Sequence, residues 1–293
     1  MTQKWNLIVD AALCEDCHNC TLAVKDEYCG NDFPGYAASQ PLHGHEWIKI
    51  HRKVRGQIPH VDVSYLPTMC NHCDAAPCLA KAGDSGAVSK RPDGIVIIDP
   101  VKAKGRRDLV DACPYGAIWW NEELGLPQHW IFDAHLLDKG WTQPRCAQVC
   151  PTGAITVAKL DDEAMRKRAQ DEQLQVLKPE LGTSPRVYYR NLYRFTAAFL
   201  AGSVVGQVGN RTECVEGASV SLRGPDGKEQ VCRSDVFGDF KFDHLPVAAA
   251  SYQLKVTHPD YPSREISVQL TDSRSLDPIQ MGAASARAPA SKS

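Results

Sequence analysis

Cys14, Cys17 and Cys20 stand in a Cys-x2-Cys-x2-Cys run, and Cys70, Cys73 and Cys78 in a Cys-x2-Cys-x4-Cys run. Downstream come two Cys-Pro pairs, Cys113-Pro114 and Cys150-Pro151. Three thiolates at such spacings wrap one corner of a cubane, and in ferredoxin-type chains the fourth ligand is a distant Cys-Pro. Two triplets and two Cys-Pro cysteines therefore make two four-thiolate sites suited to [4Fe-4S] clusters. Spacing does not decide which Cys-Pro completes which triplet. Structural zinc is the rival reading. Zinc prefers paired Cys-x2-Cys knuckles, so the three-cysteine runs favour iron and sulfide.

The other four of the twelve cysteines are Cys29, Cys146, Cys214 and Cys232. Cys146 precedes Cys150 by four residues without cluster-spaced companions and reads as a relic or a core thiol. A third, non-standard site of Cys29, Cys146 and Asp133 is a weaker alternative. Cys214 and Cys232 are expected to face each other in a sandwich as thiols rather than as a disulfide. His43, His45, His51, His60 and His72 lack paired ligand spacing and read as hydrogen-bonding or surface residues. Lys102, Lys104, Arg106 and Arg107 read as a solvated basic helix start. No nucleophile elbow, phosphate loop or metalloprotease motif occurs, and no catalytic residue is assigned.

The elements that must hold these cysteines follow from pattern. Residues 1–160 alternate short strands with cysteine-bearing loops and read as a ferredoxin-like double-cluster domain. An internal repeat runs through it: Leu7-Ile-Val-Asp10 and Val96-Ile-Ile-Asp99 each precede a motif, and Cys113-Pro-Tyr-Gly-Ala-Ile118 mirrors Cys150-Pro-Thr-Gly-Ala-Ile155. With the aspartates in register, Cys14, Cys17, Cys20 and Val24 fall opposite Ala103, Arg106, Leu109 and Cys113. Residues 161–199 form a connector, with a charged helix over Asp161–Val176 and a turn-rich Lys178–Pro185. Over residues 200–281, Ser219–Arg223, Phe240–Asp243, Tyr252–Val256 and Ile266–Leu270 alternate as half-buried strands, with turns at Gly224–Gly227 and Phe237–Asp239. They predict a small antiparallel β-sandwich. Residues 282–293 read as a disordered Ala/Ser-rich tail. The fold class is α+β.

At 293 residues the chain has room for about two domains. A net charge of −2 gives no drive toward nucleic acid or anionic lipid. Phe195–Val205, the longest apolar stretch, is too short to insert in a bilayer as a helix. The N-terminus has no apolar signal region. The expected location is the cytoplasm.

Residues 1–200 resemble the iron–sulfur β subunits that accompany molybdopterin enzymes of the dimethyl sulfoxide reductase family. They are most similar to the small subunits of pyrogallol–phloroglucinol transhydroxylases and resorcinol hydroxylases. The residues carrying this are Cys14–Cys20, Cys70–Cys78, Asp93–Pro100, Cys113-Pro-Tyr-Gly116, Ala134–Asp138, Lys178–Gly182 and Arg186–Phe195. The last of these stretches is expected to have no role at the clusters. Gly238–Phe242, Leu245-Pro246 and Tyr252 are similar to carboxypeptidase-regulatory-like or transthyretin-like sandwiches. The resemblance implies the pairing: Cys14, Cys17, Cys20 and Cys150 for the first [4Fe-4S] cluster, and Cys70, Cys73, Cys78 and Cys113 for the second. It also implies that two further cluster sites of the family are lost. One would need cysteine at Ala82, Ala103, Arg106 and Leu109. The other would need it at Val24, Trp130 and Asp133, and keeps Cys146. The survivors are then the two ends of a four-cluster wire. The implied function is an electron-transfer or structural subunit of a heteromeric hydroxylase or transhydroxylase of polyhydroxylated phenols. Its partner would be a large catalytic subunit carrying molybdenum and molybdopterin guanine dinucleotide, in heterodimers that can associate further. The first cluster would face electron exchange and the second would be structural. The alternatives are a β subunit of a respiratory oxidoreductase and a redox-inert assembly scaffold.

Overall fold

A computed structural model describes residues 2–284. Contacts divide the described residues into two compact units: residues 2–52 with 65–192, and residues 53–64 with 193–284. A linear reading has no means of assigning the inserted segment 53–64 to a unit built from the far end of the chain.

The first unit is organised on a three-stranded sheet in the order Ile155–Leu160, Lys4–Asp10, Val187–Arg190. The central strand pairs antiparallel with the first and parallel with the last. Leu7, Ile8 and Val9 are sealed on both faces, which is why Leu-Ile-Val-Asp reads as a continuous apolar run. The charged helix Asp162–Asp171 is N-capped by Asp161, whose side chain accepts from the Ala164 N–H at 2.9 Å. Its Met165 packs on Ile8 and Ala158. Two short ladders, Val88–Lys90 with Val96–Ile98 and Trp119–Asn121 with Leu126–Gln128, frame the cysteine loops.

The internal repeat is a structural one. Asp10 Oδ1 accepts from the Ala12 N–H at 2.8 Å, and Asp99 Oδ1 accepts from the Val101 N–H at 2.9 Å. The same Asx turn thus ends the strand at both positions. The two Cys-Pro turns also match: Gly116 N–H donates to Cys113 O at 3.1 Å, and Gly153 N–H to Cys150 O at 3.3 Å. Both glycines have positive φ, +64° and +68°, which explains the shared Gly after each Cys-Pro.

The second unit is a two-sheet sandwich. One sheet is built on Ala198–Val208, flanked by Arg211–Cys214 and Asp239–Leu245, with Arg274–Ser275 and Ile279–Ala283 also pairing to it. The other has the order Glu229–Arg233, Ser219–Arg223, Ala250–His258, Tyr261–Leu270. Alternate residues of both sheets form one core, including Leu200, Val204, Leu222, Phe240, Phe242, Leu254 and Val256. The apolar stretch from Phe195 thus enters a core strand. No described helix is long and apolar enough to cross a membrane. The inserted segment is tied down by Arg55, whose buried guanidinium meets Asp62 at 2.9 Å and Asp243 at 2.6 Å and lies over the Phe199 ring. Gly56, at φ +73°, is required there, since a Cβ would sit 2.5 Å from His60 O and from the Phe199 ring. The strand Ile279–Ala283 runs into the segment expected as a tail; residues 285–293 lie outside the described residues.

Candidate metal centres

Cys70, Cys73, Cys78 and Cys113 line one apolar cavity together with Ala76, Pro77, Val96, Ile118 and His129. Each thiol arrives on a different local device. Cys70 and Cys73 flank His72, which is held at positive φ. Cys78 sits in the first turn of helix Pro77–Ala82, with Pro77 starting the helix as its fixed φ favours. Cys113 opens its Cys-Pro turn just after helix Asp108–Asp111. Burial pushes the Cys70 thiol far up, the Cys73 thiol up and the Cys78 thiol to about 11, and the neighbouring sulfurs add to this. Against burial, backbone N–H groups of His72 and Leu79 hydrogen-bond Cys70 and Cys78, and Ala117 N–H reaches Cys113 Sγ at 3.5 Å. Cys70, Cys73 and Cys78 so placed are poor isolated thiolates. They become good ones only around a strongly positive core.

Cys14, Cys17, Cys20 and Cys150 form a second neighbourhood. Cys14 feels Cys150 and Cys17, and Cys20 feels Cys14 and Cys17. Burial raises Cys14, and raises Cys20 to about 11. Asp16 and His18 lie in the left-handed region, which curls the loop between the cysteines. Cys20 is the second residue of helix Asn19–Tyr28, and Cys150 follows helix Arg145–Gln148. Cys17 is exposed, so this neighbourhood reaches the surface of its unit.

Cysteines set around a cavity rather than on a point suit a polynuclear cluster better than a zinc ion. The donor set, the apolar lining and the N–H groups aimed at sulfur all fit [4Fe-4S].

Sequence reasoning missed the supports of the second set. Lys90 Nζ donates to the carbonyls of His72 and Cys73 at 2.7 and 2.8 Å and pairs with Asp74 at 2.8 Å. Arg186 is sealed from solvent and holds Asp74 through a bidentate contact, with Asp162 at 2.7 Å and Asn6 at 3.1 Å. Its own N–H donates to Asn71 O at 2.8 Å, inside the cysteine loop. Burial works to raise the Asp74 carboxyl, but Arg186 and Lys90 outweigh it and hold it below its usual range. The stretch beginning at Arg186, expected to stand apart from the clusters, therefore braces one of their loops. Arg186, Arg190 and Arg194 spaced through an aromatic-rich run were the one hint of this. Tyr115 shares a 2.5 Å hydrogen bond with Thr183, and Thr183 in turn hydrogen-bonds Cys73.

The positions without cysteine are filled in two different ways. Ala82, Ala103 and Leu109 belong to one apolar cluster with Ala87, Val88 and Ile118, and Arg106 turns outward to Asp108 at 2.8 Å. Val24, Trp130, Asp133 and Cys146 are buried around a polar centre. Asp133 accepts from Tyr28 Oη at 2.7 Å, Trp130 Nε1 at 3.1 Å and the Arg145 N–H at 2.7 Å. Burial raises its carboxyl against these donors. Cys146 is fully buried, as a core thiol should be. The Cys29 thiol reaches Pro41 O at 3.6 Å. Cys214 and Cys232 lie in different sheets, and neither forms a disulfide. His45, His51 and His60 hydrogen-bond Trp120 O, Thr68 and Ser275. His72 accepts from the Val96 N–H. The basic run Lys102–Arg107 precedes helix Asp108–Asp111, and Arg107 lies over the Trp120 ring.

The family described as a 4Fe-4S dicluster domain matches residues 61–160, which hold the second triplet and both Cys-Pro pairs. The small subunit of pyrogallol hydroxytransferase from Pelobacter acidigallici is 45% identical over 83% of this chain and 87% of its own length. The beta chain of dimethylsulfide dehydrogenase from Rhodovulum sulfidophilum is 33% identical over 51% of this chain and 46% of its own. The iron–sulfur subunit of the arsenate respiratory reductase of a Shewanella species is 27% identical over 67% of this chain and 100% of its own. Matching cysteine architecture and 45% identity across nearly the whole of a relative leave one conclusion: the chain belongs to the family of the pyrogallol hydroxytransferase small subunit, an iron–sulfur subunit.

Proposed function

We propose that this chain is the cluster-bearing small subunit of a molybdenum hydroxylase or transhydroxylase of polyhydroxylated phenols. Its large partner carries the molybdopterin cofactor and the catalytic residues. Cys14, Cys17, Cys20 and Cys150 hold one [4Fe-4S] cluster, and Cys70, Cys73, Cys78 and Cys113 the other. The observation that carries this is the convergence of the second four cysteines on one apolar cavity, in a chain so similar to a pyrogallol hydroxytransferase subunit. When bound, each cluster stores one electron. The residues around it supply N–H donors to sulfur and exclude water from the cavity.

The filled positions favour this over a respiratory role. A respiratory subunit must pass electrons along a chain of closely spaced centres, and here apolar packing and the Asp133 network stand at the positions without cysteine. Transhydroxylation has no net electron export, so it tolerates the gap. The exposed Cys17 supports electron exchange at the first cluster, and the enclosed lining of the second supports a structural role there. We place the subunit in the cytoplasm, where a reducing environment suits thiolate-held clusters. The two-sheet core supports kinship of the C-terminal unit with carboxypeptidase-regulatory-like and transthyretin-like sandwiches.

The test is iron and acid-labile sulfide in the purified complex, with about eight of each expected per small subunit. Cys70→Ser and Cys150→Ser should each remove about four iron atoms. A wild-type value near twelve, or no loss in either variant, would overturn the ligand assignment.

A further inference from the structure

Asp133 occupies a position where a cysteine is missing, yet it is not a vacant remnant. Three donors from three places in the chain converge on its two oxygens. Tyr28 is the last residue of the helix that carries Cys20 near its start. Arg145 is the first residue of the helix that leads into Cys150, and its N–H would otherwise be an unpaired helix-start donor. From Arg145 the backbone is bonded step by step to the cysteine: Val149 N–H to Arg145 O at 3.0 Å, then Cys150 N–H to Ala147 O at 3.4 Å. Asp133 also launches its own helix, accepting from Leu136 and Leu137 N–H through its carbonyl. A second brace runs beside it. Arg145 pairs with Glu27 at 2.6 Å and Asp26 at 2.7 Å, and His135 reaches Glu27 at 2.8 Å.

We propose that Asp133 is a positioning residue for the first cluster, clamping the helix that presents Cys20 to the helix that delivers Cys150. This rests on the reading that Cys14, Cys17, Cys20 and Cys150 bind a cluster. The carboxylate accepts three hydrogen bonds and donates none. An amide of the same shape has one oxygen, so it leaves at least one donor facing an NH2 group. The backbone of residue 133 sits at φ +52°, which Asn tolerates, so Asp133→Asn removes the hydrogen bond without new backbone strain.

The experiment uses the intact complex and follows each cluster by its electron paramagnetic resonance signal during exposure to an iron chelator. Cys150→Ser and Cys113→Ser assign the two signals. Asp133→Asn should speed loss of the first cluster about 10-fold, the effect of losing one buried charge-assisted hydrogen bond, and change its signal shape while the second cluster is untouched. Tyr28→Phe removes a single donor and should speed loss of the same cluster about 3-fold, even where Asp133→Asn fails to assemble. Equal acceleration of both clusters would mean general loosening and overturn the clamp. So would rates within about two-fold of wild type in both variants. If Cys150→Ser leaves both signals in place, the ligand assignment beneath the proposal has failed instead.

Discussion

Leu109→Ala probes how an unused cluster position is filled. Leu109 is wholly buried and sits among Ala82, Ala87, Ala103, Val88 and Ile118. Removing three carbons forfeits about 2.4 kcal/mol of transfer free energy at roughly 0.8 kcal/mol per methylene. A cavity contribution adds to that. Three of the neighbours are alanines, which have no side-chain freedom with which to collapse into the space. The loss should therefore fall in the upper half of the Leu→Ala range, about 4 kcal/mol. For a unit of this size that is a fall in Tm of roughly 8–16 °C. Thermal unfolding of the complex, followed by circular dichroism, reads it. The helix Asp108–Asp111 leads straight to Cys113, so chelator loss of the second cluster should also quicken while the first is unchanged. Leu109→Met conserves volume and should cost less than about 1.5 kcal/mol. A drop in Tm of less than about 3 °C for Leu109→Ala would show that the surroundings collapse freely and would refute the packed-plug reasoning.

Two further outcomes are expected. Arg186→Met leaves the Asp74 carboxylate without its bidentate partner; because Asp74 is partly solvated, the cost should be about 2 kcal/mol rather than that of a fully buried pair. It should destabilise the second cluster selectively, and equal effects on both clusters would contradict the placement of Arg186. The Asp138 carboxyl, gripped by Arg91 at 2.7 and 2.8 Å and by Tyr36, is held down to about 2. A depressed carboxyl contributes stability that is fully present above its unfolded pKa of about 4 and is lost as pH falls from there toward about 2. Denaturant midpoints measured against pH should converge for wild type and Asp138→Asn across that window, and parallel profiles would remove Asp138 from the account.

Much of the protein was legible in the chain itself. Cysteine spacing is covalent information: it limits which thiols can share a cubane, whatever the rest of the fold does. Likewise Leu-Ile-Val-Asp, Cys-Pro-x-Gly and the alternating runs of the sandwich encode strands and turns through local sterics and side-chain period, and the strands Ser219–Arg223 and Ala250–His258 stand where that period puts them. Tertiary structure alone decided what lies between distant residues. Nothing local in Lys90, Arg186 or Thr183 says that they brace the loop of Cys70 and Cys73, because their partners are far along the chain, Asp74 lying 112 residues from Arg186. Segment 53–64 could be assigned to the later unit only once Arg55 was seen against Asp243. The missing cysteines show the division best. The sequence alone reports that Leu109 and Asp133 are not thiols. Whether such a place becomes apolar core or a hydrogen-bonded carboxylate depends on which groups the fold brings there, and a buried carboxylate persists only where three donors, from Tyr28, Trp130 and Arg145, converge to replace its water.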